Sequence, residues 1–174
     1  MPNRHPTNSI EWWEEYFVED WDAHGGSDQT RYFMERVIFE LPAIERAFLN
    51  SEGVTILDWG CAFGEGVELL ARSFPRSRVT GSDFAKTAIE QAGLRHPGYR
   101  FVQTKDGEIQ ETFDVIITSN CLEHFDNPIQ VLQSHLDRCK SLYILLVPYD
   151  ESPLSEHHRT RLTEASFPSS IGGF

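Results

Sequence analysis

Residues 54–66 read VTILDWGCAFGEG, and this stretch decides the fold. Its first half is a β-branched, apolar run that ends in Asp58, which is typical of a buried parallel strand. Gly60, Gly64 and Gly66 follow, at the point where such a strand would turn sharply into a helix. Because glycine has no Cβ, the backbone of the turn can approach a bound ligand closely. The stretch therefore predicts a strand–turn–helix unit with a ligand site at the turn.

Strand and helix patterns alternate along the rest of the chain. Apolar runs predict strands at 54–59, 78–83, 99–104, 113–120 and 141–148, and helical patterns lie between them at 64–74, 85–95 and 127–138. This alternation indicates a mainly parallel sheet with helices on both faces. We predict an α/β fold of three layers, with a doubly wound sheet of order 3-2-1-4-5. Ligands of such sheets bind beyond the carboxyl ends of the strands.

Residues 1–50 precede the alternating part and are predicted to form a helical cap. Helices are expected at 9–22 and 29–40, the first with a stripe of tryptophan, tyrosine and phenylalanine. Residues 51–174 form the predicted cofactor-binding domain, and the two parts form one structural unit. The aromatic stripe is expected to pack on the sheet or to form a lid over the site.

Composition excludes several classes of partner. The chain of 174 residues has 15 basic and 27 acidic residues and a net charge of −12, which disfavours nucleic acid and anionic membranes. No stretch predicts a signal peptide or a membrane span. The three cysteines, Cys61, Cys121 and Cys139, include no C-x-x-C pair and indicate reduced thiols. A cytoplasmic location is expected.

The spacing of the glycines also limits the ligand. A dinucleotide fingerprint would need glycine at positions 62 and 65, where this chain has Ala62 and Glu65. A phosphate loop would need a lysine after its last glycine, and none follows. The acid before the turn disfavours a polyanion and favours a ligand that carries positive charge and hydroxyls.

The pattern D-x-G-x-x-x-G-x-G resembles motif I of the class I S-adenosylmethionine-dependent methyltransferases. The one departure is Ala62, where the family usually has glycine and where a methyl group should be tolerable. The resemblance implies a Rossmann-like methyltransferase fold, with S-adenosylmethionine as cofactor and S-adenosylhomocysteine as product. Family members usually continue with a further helix and two antiparallel strands, so these C-terminal strands are expected to be shortened or absent, naturally or by truncation.

The resemblance also assigns cofactor-binding residues. Asp83 would accept hydrogen bonds from both ribose hydroxyls, or would simply cap the next helix. Phe84 would stack on the adenine, and Asp106 would accept from the adenine amino group unless it belongs to a surface turn. Arg31 could pair with the cofactor carboxylate. The whole predicted set comprises Asp58, Gly60, Cys61, Ala62, Gly64, Asp83, Phe84, Asp106, Gly107, Asn120 and Cys121.

The segment Leu122-Glu123-His124 closely matches a motif frequent in small-molecule methyltransferases. The match places His124 at the methyl end of the cofactor, as the predicted catalytic residue. A neutral imidazole can take a proton from a hydroxyl or amine that attacks the methyl group. The alternative is that His124 only ties the loop together through hydrogen bonds.

A metal site is a second interpretation of the same segment. Metal-dependent O-methyltransferases carry E-x-x-E-H here, and this chain has Asn120 in place of the first acid. Glu123 and His124 match, and His157 or His158 could add a nitrogen ligand. Because the first acid is missing, we predict no metal and keep a divalent ion as the alternative.

The sequence thus predicts a methyltransferase acting on a hydroxyl or amine of a small molecule, without nucleic acid or membrane partners. It also allows a homodimer. The alternative is a non-catalytic or truncated methyltransferase-like domain that serves as a binding module. An oxidoreductase ranks below both, because the glycine spacing does not suit NAD.

Overall fold

The computed structural model describes residues 5–105 and 107–170. Five strands form one parallel sheet in the order β3-β2-β1-β4-β5, which confirms the predicted topology. The strands are β1 (Thr55–Trp59), β2 (Arg78–Asp83), β3 (Arg100–Gln103), β4 (Phe113–Ser119) and β5 (Cys139–Leu146). The carboxyl ends of β1, β2 and β4 meet at one edge of the sheet.

Six α-helices accompany the sheet within the described residues. They are α1 (Ile10–Glu19), α2 (Gly26–Glu40), α3 (Ala43–Leu49), α4 (Glu65–Ser73), α5 (Lys86–Arg95) and α6 (Pro128–Leu136). Short 3₁₀ turns lie at Leu122–His124 and Glu164–Ser166. Helix α2 begins three residues earlier than predicted, because Gly25 takes a left-handed conformation (φ 72°) that turns the chain directly into the helix.

Both faces of the sheet are covered, which explains the continuous apolar runs of its central strands. Val115 and Ile117 of β4 pack with Leu70 on the face covered by α2, α3 and α4. Ile116, between them in sequence, packs with Leu132 of α6 on the opposite face. Alternate side chains of β4 therefore enter two separate hydrophobic clusters, as a three-layer fold requires.

Helix α1 is attached to α5 by an unusual cap. The first backbone N–H groups of a helix have no partner within that helix. In α5 these groups belong to Lys86 and Thr87, and they donate to the two carboxylate oxygens of Glu14 at 2.5 and 2.9 Å. A carboxylate also suits the positive end of the helix dipole. The acid of α1 therefore serves as the N-terminal cap of a helix that lies far along the chain.

The segment after β5 returns across the loop ends. Tyr149 and Leu162 form an isolated parallel bridge, and Leu162 is fully buried. Between Leu146 and residue 170 the structure contains no further strand beyond this bridge. Within the described residues, no helix combines the length and the apolar character needed to cross a membrane.

Candidate active site

The carboxyl ends of the central strands open into a cavity of about 1050 Å³. Its floor consists of the loops after β1, β2 and β4. Its roof consists of α1, the start of α2 and the segment 156–158. Of the predicted site residues, the following line it: Asp58, Gly60, Ala62, Asp83, Phe84, Asn120, Cys121 and His124.

Asp58, near the end of β1, is a buried acid that lacks a complete set of partners. Its side chain is 3% exposed, and its Oδ2 has no hydrogen-bond partner among the described residues. Burial, together with the nearby carboxylates of Asp83 and Glu65, raises the pKa of Asp58 to about 7. A Cβ at Gly66 would lie 2.5 Å from this Oδ2. Gly66 therefore leaves the space that the Asp58 carboxylate occupies.

The turn after β1 holds three residues in the left-handed region, Gly60, Ala62 and Gly64. Gly60 has φ 77°, and a Cβ there would meet the Cys121 sulfur at 2.4 Å, so only glycine fits without a shift. Ala62 has φ 45°, a conformation that costs a residue with a Cβ about 1–2 kcal/mol. Its methyl group is accommodated, but at this backbone cost. The usual glycine at this position would avoid the strain.

Asp83, at the end of β2, both holds the turn and faces the cavity. Its Oδ2 accepts from the backbone N–H of Ala62 at 3.1 Å, and its Oδ1 accepts from the N–H of Ala85 at 2.9 Å. Each carboxylate oxygen can accept a second hydrogen bond. Burial raises the pKa of Asp83 to about 6, and its hydrogen bonds to the backbone oppose that rise. The two roles weighed from the sequence, cap and ligand acceptor, are compatible in this geometry.

Three predicted residues do not line the cavity. The Cys61 side chain is packed in the core against Gly81, and a Cβ at Gly64 would meet the ring of Phe101 at 2.7 Å. The carbonyl of Gly107 accepts from Nε1 of Trp59 at 2.8 Å, which fixes a wall of the cavity. These residues shape the floor without facing a ligand. Asp106 lies outside the described residues.

Both thiols near the turn are poor nucleophiles. Burial raises the pKa of Cys61 and of Cys121 well above the usual value, and nearby carboxylates add to the rise. The two groups are therefore protonated at neutral pH.

His124 is partly buried and held in one tautomer. Its Nδ1 lies 3.0 Å from the carbonyl oxygen of His157. A carbonyl can only accept, so Nδ1 carries the proton and Nε2 keeps a free lone pair. Burial lowers the pKa of His124 to about 4 despite the carbonyl contact, so the ring is neutral. The side-chain amide of Asn8 donates to the carbonyls of both His124 and His157, at 3.0 and 2.7 Å.

Glu123 precedes this histidine and is 1% exposed. Neither carboxylate oxygen has a partner among the described residues, and burial raises the pKa of Glu123 to about 7. Asn120, at the start of the same loop, has φ 52°, and its backbone N–H donates to Leu146 at 2.9 Å. The loop is thus fixed by backbone contacts while its acid stays unpaired.

The roof of the cavity is aromatic. The ring of Trp13 lies 5.1 Å from that of His124, edge to face, and the ring of Trp12 lies 4.8 Å from that of His157. Other aromatic residues of the lining are Tyr16, Phe17, Trp21, Phe33, Trp59, Phe84 and Phe125. The sequence predicted this lid over the site as one of two places for the aromatic stripe.

The positions of several residues relative to the site could not be predicted from the sequence. Asn8 and His157 reach the site only through the tertiary fold, since neither belongs to a motif with the strand-end loops. Arg31, expected to pair with a ligand carboxylate, instead lies 3.8 Å from Glu68 of α4. Its pairing with a ligand carboxylate stays a prediction, and in this conformation the side chain follows the face of α2 that packs on α4.

Apart from its histidines, the ionisable side chains named here in the lining are all acidic. Its acidic residues are Asp20, Asp58, Asp83, Glu123 and Glu156, and its histidines are His24, His124, His157 and His158. Among the described residues that line the cavity, there is no lysine or arginine.

A parallel sheet of order 3-2-1-4-5 with a glycine-lined turn after β1 and an acid after β2 defines a Rossmann-like methyltransferase domain. Residues 57–141 match the family model described as "Methyltransferase domain". These residues thus form a methyltransferase domain of the class I S-adenosylmethionine-dependent type.

Known proteins agree with this family. Malonyl-(acyl-carrier protein) O-methyltransferase of Bacillus cereus is 26% identical over 98 residues, 54% of this chain and 36% of that protein. The mitochondrial ubiquinone biosynthesis O-methyltransferase of Candida albicans is 32% identical over 102 residues, 53% of this chain and 31% of that protein. The chain thus spans about a third of the length of these relatives.

A solved structure shows the same fold. The plantazolicin methyltransferase BpumL, in complex with a pentazolic desmethylPZN analog and SAH, superimposes with a TM-score of 0.60 at 21% identity. The superposition covers 84% of this chain and 64% of BpumL.

Proposed function

We propose that this protein transfers a methyl group from S-adenosylmethionine to a hydroxyl or amine of a small molecule. One observation carries the proposal: the glycine turn, Asp83 and the lone pair of His124 face the same cavity. The family of the chain and the names of its relatives support this class of reaction.

The floor of the cavity fits the cofactor. Asp58 offers an unpartnered carboxylate oxygen, and each oxygen of Asp83 retains one lone pair for a ribose hydroxyl. Gly60 leaves room for the Cys121 sulfur, which keeps the turn at the cavity floor tight, and Phe84 offers a ring to the adenine. When bound, the cofactor supplies an electrophilic methyl group on a sulfonium. The residues of the chain bind it, orient it and exclude water.

His124 is the proposed proton acceptor. Its neutral ring keeps a lone pair on Nε2, because the carbonyl of His157 fixes the proton on Nδ1. Trp13 packs against the ring and restricts its rotation. The residue can thus take a proton from a substrate hydroxyl or amine held under the roof.

The proposed substrate is neutral or cationic. A cavity lined by acids, histidines and aromatic rings disfavours an anion, which would have no lysine or arginine to pair with among the described lining residues. Aromatic faces attract cations and planar rings.

We further propose that residues 1–50 act as the cap of the domain 51–174. The contacts of Glu14 with α5 and of Asn8 with the loop of His124 support one unit of two parts. The formation of a homodimer and a location in the cytoplasm remain predictions from the sequence.

Calorimetric titration tests the cofactor site, and a substrate panel tests the reaction. We expect the chain to bind S-adenosylmethionine and S-adenosylhomocysteine at micromolar levels. His124→Gln should retain this binding and lose most turnover, about 100-fold, as expected for a general base. His24→Gln, an exposed histidine of the rim, serves as the control. Absence of binding to both compounds would contradict the proposal, and binding without turnover on any amine or hydroxyl substrate would favour a binding module.

A further inference from the structure

We infer that Glu123, His124 and His158 form a divalent-metal site in the wall of the cavity. One ligand atom from each of these side chains lies within 4.8 Å of the other two. The sequence led us to predict no metal, because the first acid of the known motif is missing. Of the ligands weighed from the sequence as the alternative, the structure brings together these three, without Asn120 or His157.

The carboxylate of Glu123 is the first argument. It is 1% exposed, and neither of its oxygens has a hydrogen-bond partner among the described residues. An unpaired carboxylate in such a place is costly unless a proton or a cation compensates it. A bound cation would supply the missing partner.

The orientation of the two histidines is the second argument. Nδ1 of His124 donates to the carbonyl of His157 at 3.0 Å, and Nδ1 of His158 lies 2.5 Å from a carboxylate oxygen of Glu151. Both partners are acceptors, so both rings carry the Nδ1 proton and direct the lone pair of Nε2 elsewhere. Histidine ligands of metals are characteristically held in this way by a carbonyl or a carboxylate.

The fold fixes the distance between the ligands. Glu123 and His124 are neighbours in one 3₁₀ turn, and the carbonyl of Glu123 accepts from the N–H groups of Arg159 and Thr160 at 2.7 and 3.2 Å. These bonds join the segment of His158 to the turn. Two ligands of one tetrahedral ion at about 2.1 Å lie about 3.4 Å apart, so closure needs a movement of at most about 1.4 Å.

Two imidazoles and one carboxylate favour Zn²⁺, with Mn²⁺ or Fe²⁺ as further candidates. Three protein ligands leave a coordination position open, which is typical of catalytic sites. The ion would occupy Nε2 of His124, so this residue could no longer accept a proton itself. The inference rests on the proposed function and revises the role of His124 in it: a substrate hydroxyl bound to the ion would lose its proton to solvent water more readily. Metal binding itself does not depend on the cofactor.

Metal binding can be measured without any activity. The full chain, purified without a histidine tag and freed of metal with a chelator, is titrated with Zn²⁺ and separately with Mn²⁺ by calorimetry. We expect about one Zn²⁺ per chain and a higher melting temperature with the ion. Glu123→Gln and His158→Gln should each weaken Zn²⁺ binding by about 100-fold or more, and Glu151→Ala, which removes the partner of His158, by about tenfold.

His157→Gln is the matched control, since it changes the adjacent histidine and leaves the carbonyl contact of His124 in place. It should retain Zn²⁺ binding. Circular dichroism of every variant checks that it folds. Failure to bind either ion, or equal binding by wild type, Glu123→Gln and His158→Gln, would overturn the inference. Cofactor titration of the metal-free protein is a separate readout, so failure of the metal site and failure of the proposed function are distinguishable.

Discussion

The floor and the roof of the cavity are built in different ways. The floor comes from loops at the ends of neighbouring strands, and its side chains are held by backbone contacts within those loops, as Asp83 holds Ala62. The roof comes from residues 7–34 and 156–158, and it is held by single side chains such as Asn8 and Glu14 that reach across the fold. The comparison indicates a floor that is fixed by local backbone contacts and a roof that is fixed by contacts between residues far apart in the sequence.

The largest expected effect concerns the floor. Gly60→Ala should lower the free energy of unfolding by about 2–5 kcal/mol, through backbone strain and the clash with Cys121. The matched control is Gly53→Ala, where φ is 80° but no atom lies within 4 Å of the added Cβ. It should cost only about 1–2 kcal/mol. Equal losses in urea unfolding would show that the floor is not tightly packed at Gly60.

Asp83→Ala should weaken the binding of S-adenosylmethionine by about 1.5–3 kcal/mol, or about 10- to 100-fold in Kd, because it removes the hydroxyl acceptors. Asp83→Asn keeps one acceptor oxygen and should lose less. The exposed acid Asp137 provides the control variant Asp137→Asn. An unchanged Kd in calorimetry for Asp83→Ala would restrict this residue to holding the turn.

Glu14→Gln tests the roof. Loss of the charged cap of α5 should reduce the free energy of unfolding by about 1 kcal/mol, and should increase hydrogen exchange at Lys86 and Thr87. Glu19→Gln, an exposed acid of the same helix, should leave both unchanged. If Glu14→Gln lowered cofactor affinity as strongly as Asp83→Ala, the conclusion that the roof and the floor are built independently would be wrong.

The smallest effect is a pH dependence of stability. The pKa of Asp58 is about 7 in the folded protein and 3.8 ordinarily, so the folded state holds a proton that the unfolded chain has lost. Unfolding then releases protons, and the free energy of unfolding falls as pH rises through about 7. Below about pH 6.5 the buried neutral histidines act in the opposite direction, since the pKa values of His124 and His135 are lowered to about 4.

The window for the measurement is therefore pH 6.5 to 8, and urea unfolding should show a decline for the wild type. Asp58→Asn should reduce the decline, and Glu123, whose pKa burial also raises to about 7, retains the rest. Asp137→Asn should not alter it. A decline that is identical in Asp58→Asn would show that Asp58 is ionised throughout this range.

The sequence predicted the floor well because its residues follow strand patterns and a motif of fixed spacing. The sheet order and the placement of Asp58, Gly60 and Asp83 at one edge needed only the alternation of strands and helices. The contacts that hold the roof could not be predicted in this way. The contact of Asn8 with His157 joins residues 149 positions apart, and nothing local to either one indicates it.

The same distinction between local patterns and tertiary contacts explains which predicted residues reach the cavity. Gly64 and Cys61 belong to the motif but serve the packing of the turn, because a motif fixes the backbone and leaves the direction of each side chain to the core. Arg31 was assigned by chemistry alone and lies on the opposite side of its helix, against Glu68. Asn120 in place of an acid argued against a metal, whereas the tail supplies His158 from outside the motif.

The cap that Glu14 places on α5 has a consequence for ligand exchange. Helix α1 covers the cavity. If it moved outward, two backbone N–H groups of α5 would lose their acceptor, Glu14, and become exposed to water. Release of a spent cofactor by that route would require the first turn of α5, which directly follows Asp83, to fray at the same moment. Departure of the cofactor and loosening of the loop after β2 would then occur together.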